Sequence, residues 1–205
     1  MRLHAMALTI AALLTVTGTP IGLSEAAAEG PEQGFFDVYG GFLHLFESDV
    51  PGWKLEDNSP TVGGRVGAWI GKNWGLTFRA WYFQTDAKLD NASPSDLAFL
   101  GLSLELMGRW SLAEHWALYG TLGPMVAVTS LDRQRDRVTG IEDDSRSVAP
   151  GGSLSVGTEI RVFKRLRAFA EVQGSLVYPE FDFPGRRNSP RLLSVYGLTG
   201  LRLGF

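Results

Sequence analysis

The 205-residue chain has no cysteine, so neither a disulfide framework nor a thiolate metal centre enters its reading. It also lacks a dominant charge: 19 basic against 22 acidic side chains leave a net charge of -3, without the basic excess that nucleic-acid binding requires. Long hydrophobic runs are missing too. After the N-terminus, no segment reaches the roughly 20 apolar residues of a spanning helix. A mean hydropathy of +0.01 would suit a soluble domain, but it also suits strands in which only every second residue meets lipid.

The N-terminus has the order of a secretory signal. Arg2 precedes an apolar stretch from Ala5 to Val16, followed by Gly18 and Pro20 and then Ala26, Ala27 and Ala28. The expected division is a signal peptide over 1–28, cut after Ala28 or alternatively after Ala26, and one domain over 29–205.

Beyond it the pattern is a period of two. From 192 to 205, Leu193, Val195, Leu201, Leu203 and Phe205 share one face, while Ser194, Tyr196, Gly200 and Arg202 share the other. Similar alternation predicts eight strands near 34–46, 61–71, 74–84, 97–110, 116–130, 151–162, 166–178 and 192–205. Their connections alternate short and long. Short turns fall at Gly71–Trp74, Ser111–His115 and Phe163–Arg165; longer polar segments fall at 47–60, 85–96, 131–148 and 179–191. An up-and-down sheet with all short turns at one end follows. Closing it into an all-β, eight-stranded antiparallel transmembrane barrel pairs every backbone group without water.

Strand four separates its faces well, with Leu100, Leu102, Leu104 and Leu106 on one side and Ser103, Glu105 and Arg109 on the other. If leucines meet lipid, the interior gathers Arg65, Arg79, Glu105, Arg109, Glu159, Arg161, Glu171 and Arg202. Such charges must be paired or hydrated. They can serve as an ion pathway or polar ligand site, or as a salt-bridged plug. The narrow interior of eight strands favours the plug.

Trp74, Trp110, Trp116, Phe163 and Phe205 cluster at the short-turn end as an interfacial girdle, with Tyr82, Phe83, Phe99 and Tyr178 expected at the other rim. Strand glycines suit a tightly curved wall approached by bulky neighbours; Gly63-Gly64 leads into more strand and not into a phosphate-binding helix. Pro124 removes a ladder donor and predicts a bulge or break near 123–125.

The opening Phe35-Phe36-Asp37-Val38-Tyr39-Gly40-Gly41, the turn Gly71-Lys72-Asn73-Trp74-Gly75-Leu76 and the ending Tyr196 to Phe205 resemble the small outer-membrane β-barrel superfamily of Gram-negative bacteria, the OmpA-like, OmpX-like and OmpW-like barrels. The resemblance implies residence in the outer membrane. It also implies that the barrel assembly machinery reads the ending, with Tyr196, Leu201, Leu203 and Phe205 as the signal. It carries no peptidoglycan-binding role.

The resulting functional expectation is a structural or surface-interaction barrel with a packed polar interior, no open pore, no cofactor, no metal and no catalysis. Its partners are outer-membrane lipid and lipopolysaccharide, the assembly machinery and a surface ligand at the long loops; nucleic acid is not among them. Three other readings stay open. A carrier would pass small apolar molecules through the wall, as proposed for OmpW-like relatives. A lipid A-modifying enzyme would use His44 with Glu47, Ser48 and Asp49. A soluble lipocalin-like barrel would have its polarity reversed. The charged segment from Asp132 to Arg146 offers sites for divalent cations, lipopolysaccharide phosphates or a host surface, and equally reads as a solvated loop.

Overall fold

Hydrophobic residues at every second position, enriched in leucine, valine and aromatics, can put one face against a single medium only as strands. In a computed structural model they form eight: β1 (Gly34–Phe46), β2 (Ser59–Trp69), β3 (Trp74–Leu89), β4 (Ser95–Ser111), β5 (Trp116–Arg135), β6 (Glu142–Arg161), β7 (Leu166–Val177) and β8 (Leu192–Gly204). The structure describes residues 33–46, 53–55, 59–89, 95–135, 142–179, 181–183, 186–188 and 191–205. The expected signal peptide lies outside them.

Every neighbouring pair is antiparallel, and β1 also pairs with β8, from Phe35 opposite Gly204 to Phe46 opposite Leu193, so the sheet is a closed barrel. Opposed residues trace its tilt. The path Gly34, Ala68, Leu76, Leu106, Leu122, Leu154, Gly174, Val195 returns to β1 at His44, ten residues beyond its start. Ten residues at ~3.3 Å against eight strands at ~4.8 Å incline the strands by about 40°.

The three short turns share one construction. Ile70 and Gly71 donate to the Trp74 carbonyl, Leu112 and Ala113 to that of Trp116, and Val162 and Phe163 to that of Leu166. At the opposite end the strands outrun their sequence pattern. β3 continues to Leu89, where Trp53–Leu55 pairs with it, and β5 and β6 stay paired out to Arg135 opposite Glu142. Much of the charged segment expected as a loop is therefore ribbon, with a register shift between Leu131 and Gln134. A short hairpin, Phe181–Phe183 with Arg186–Asn188, lies between β7 and β8.

Pro124 interrupts the β4–β5 ladder without a bulge. Pairing stops after Ser103 opposite Met125 and resumes in the same register at Leu106 opposite Leu122. Glycine makes room inside for aromatics. A Cβ on Gly101 would stand 2.4 Å from the Trp81 ring, and one on Gly63 would stand 2.6 Å from that of Tyr39. Each ring thus lies across the bare backbone of the adjoining strand.

The outside is apolar. Val66, Phe78, Leu104, Leu122, Val156 and Leu201 are each about half exposed, between 47% and 64%. Along β4, Leu100 to Trp110 covers about 33 Å of strand, or ~25 Å along the barrel axis after tilt, the height of the apolar band of membrane barrels. A soluble monomer rarely exposes a continuous apolar surface of this extent.

Candidate functional site

All eight strands send charged or phenolic side chains into one buried network in the half of the barrel nearer the short turns. Asp37 comes from β1, Arg65 from β2, Arg79 from β3, Glu105 and Arg109 from β4, Tyr119 from β5, Glu159 from β6, Arg167 and Glu171 from β7, and Arg202 from β8. Each carboxylate joins at least two partners.

Glu171 accepts from Arg65 Nη1 at 3.0 Å, from Arg79 Nη1 at 2.5 Å and from the Tyr119 hydroxyl at 2.7 Å. Arg79 also donates to Gln173 Oε1 at 2.6 Å and pairs with Glu105 at 3.2 Å; Glu105 accepts from the hydroxyls of Ser103 and Ser153 at 2.7 and 2.8 Å. Arg65 and Arg202 both grip Asp37, through Nε at 2.7 and 2.8 Å respectively. Arg202 reaches on to Glu159, which also pairs with Arg109 at 2.6 Å and Arg167 at 3.3 Å.

Among the described residues every buried cation is an arginine. The choice is physical. A guanidinium presents its donors as a planar fork, so it can hold two carboxylates at once and still stack on a ring. The Arg202 guanidinium does both, lying 4.3 Å from the Phe35 ring centre and 4.9 Å from that of Tyr119.

Arg161 is a correction. It has the alternation parity of Glu159, but it is the last residue of β6 and is exposed at the turn. Arg167, directly opposite it in register, turns inward to Glu159. Arg109 sits nearer the mouth, its side chain 18% exposed. Sequence reasoning missed Arg167 and Tyr119 and left Asp37 out of the network, although Asp37 stands opposite both Arg65 and Arg202.

Nearer the long loops the interior changes character. Leu43, Trp81, Phe83, Phe99, Tyr196 and Leu198 are buried there, and Phe83 and Phe99 stack at 4.7 Å. Phe83 and Phe99 therefore do not belong to an outer-rim girdle, and the inward face of β8 is not wholly polar. Tyr178 is exposed.

At the short-turn end Trp74, Trp110, Trp116, Phe163 and Phe205 are all exposed, with Trp74 and Trp110 edge to face at 6.3 Å. Leu201, Leu203 and Phe205 face outward. Tyr196 points the other way, its hydroxyl 3.3 Å from that of Ser175. His44 is exposed on the outside of β1, while Glu47, Ser48 and Asp49 lie outside the described residues. Among the described residues no group of three or more histidines and carboxylates is placed to hold a metal.

No protein-family model matches the sequence, and no curated protein matches it. Solved structures do match in shape. Neisserial surface protein A superposes with a TM-score of 0.60 at 14% identity, over 86% of this chain and 100% of that one. Ail, the attachment invasion locus protein of Yersinia pestis, gives 0.50 at 13% identity over 84% and 99%. The outer membrane protease OmpT of Escherichia coli gives 0.51 at 10% identity over 88% and 99%. Likeness at such identities is likeness of fold. In its closed eight-stranded architecture and the apolar band around its outside, the chain has the fold of the small outer-membrane β-barrels.

Proposed function

We propose that the chain is an outer-membrane barrel with a structural or surface-interaction role, a packed interior and no open pore, and that it carries no catalysis. The observation that supports this most is the unbroken linkage from Glu105 through Arg79, Glu171, Arg65, Asp37 and Arg202 to Glu159, which ties the strands together across the interior. The interior of an eight-stranded barrel is narrow enough for side chains to fill, and opening a path here would break several buried ion pairs at once. Ligand contact is left to the long-loop end, where function in such scaffolds concentrates. The proposed partners are membrane lipid and lipopolysaccharide around the wall, the barrel assembly machinery at the Leu201, Leu203 and Phe205 edge, and a surface ligand at the loops.

Purified protein in planar lipid bilayers tests the reading. The expected trace in potassium chloride is flat. Stepwise, sustained single-channel current overturns the packed interior.

The carrier reading has one observation in its favour, the apolar layer of Trp81, Phe83, Phe99 and Leu198 toward the loops. It predicts saturable quenching of Trp81 by a small apolar ligand. A lipid A-modifying enzyme predicts altered lipid A on expression, lost in His44→Ala. The soluble lipocalin-like reading requires water to tolerate the half-exposed outer band, and release by osmotic shock would support it.

A further inference from the structure

The outer wall is not evenly apolar: a trough of about 520 Å³ opens on its lipid-facing side near the short turns. Small residues make its floor, with Gly34 on β1 opposite Ala68 on β2. Phe205 bounds one flank, its ring lying so close over Gly34 that a Cβ there would come within 2.7 Å of it. Phe78 and Leu104 rise on the other flank.

With strands inclined by about 40°, the trough climbs roughly 15–20 Å along the barrel axis from Phe205 to Leu104, about one leaflet of a ~30 Å hydrocarbon core. Its lower end is polar. Gln33 lines it, and exposed Lys72 occupies the turn joining β2 to β3, the strands that carry Ala68 and Leu76. A leaflet-long apolar slot with an amide at its end and a lysine four residues along the chain from its Ala68 wall has the length and charge order of one phospholipid.

We infer that this trough is a specific phospholipid site of the leaflet at the short-turn end, taking an acyl chain over Ala68 between Phe205 and Leu76 and the headgroup phosphate at Lys72. The inference rests on the membrane-embedded reading above. In that setting lipid covers the whole wall, and the trough selects one molecule by depth and charge.

The test is native mass spectrometry of the full chain in mild detergent with added 1-palmitoyl-2-oleoyl phosphatidylglycerol. Wild type should retain one lipid. Ala68→Phe, which fills the trough, should lose it, and Lys72→Ala should bind about fivefold more weakly, the effect of one basic side chain near an anionic surface. Val156→Phe, on the opposite wall, should bind as wild type does. Ala68→Leu serves as a smaller filling should the phenylalanine variant not fold. Heat-modifiable gel migration and insertion into vesicles report the barrel independently: their loss in wild type would sink the membrane reading. A folded wild-type barrel that holds no lipid, or folded trough-filled variants that retain it, would overturn the site. Equal retention by Lys72→Ala would overturn the headgroup assignment.

Discussion

Replacing Glu171 by glutamine keeps the shape of the side chain and removes one negative charge from between two buried guanidinium groups. Arg65 would keep Asp37, and Arg79 would keep Glu105 at 3.2 Å, so neither cation is stranded completely. Removing one partner of a buried pair costs about 3–5 kcal/mol, and these surviving contacts place Glu171→Gln near the lower end. With a urea dependence of ~2 kcal/mol per molar, the unfolding midpoint should fall by roughly 1.5–2 M. The assay is equilibrium unfolding of the barrel in vesicles, followed by tryptophan fluorescence and by heat-modifiable gel mobility. Combining Arg79→Met with Glu171→Leu should not recover the loss but lower the midpoint further, because it leaves the buried Glu105 carboxylate with the Ser103 and Ser153 hydroxyls and without its cation. A midpoint shift below ~0.5 M for Glu171→Gln, equivalent to the ~1 kcal/mol or less of an exposed pair, would refute the central place given to this carboxylate.

Gly101→Ala puts a methyl 2.4 Å from the Trp81 ring and should destabilise by about 1–3 kcal/mol, with Trp81→Leu in the same chain restoring part of it; urea midpoints check both. Arg167→Met should lower the midpoint clearly, whereas Arg161→Ala should stay within about 0.5 kcal/mol of wild type, and the reverse order would show that the two arginines exchange roles. Leu154→Arg, outward in the middle of β6, should reduce the free energy of folding into vesicles by roughly 2–4 kcal/mol, measured by gel shift across a urea series.

The strands and their facing were legible because lipid and lumen impose opposite chemistries on adjacent residues. Leu104 and Glu105 declare their sides by themselves, and so do Leu201 and Arg202. Alternation became ambiguous where both sides accept the same residue. Phe83 and Phe99 are aromatic, but their parity puts them inside, in a layer as apolar as the membrane. Leu198 is hidden in the same way within the inward face of β8. Parity also says nothing about height. Arg161 and Glu159 point to the same side of β6, yet the chain leaves the wall at Arg161, and only the register with Arg167 shows which arginine reaches the carboxylate. The partners of the network were invisible in one dimension, since Arg202 and Asp37 meet only once the cylinder closes.

That seam governs how such an object comes into being. A polypeptide delivered N-terminus first presents Phe35 early and Gly204 late, and until the two meet β1 keeps a bare edge and Asp37 lacks one of its two arginines. No half-finished cylinder is a smaller version of the whole. The unclosed chain must therefore be kept from premature pairing, and its completion is a late zippering event dominated by contacts distant in sequence.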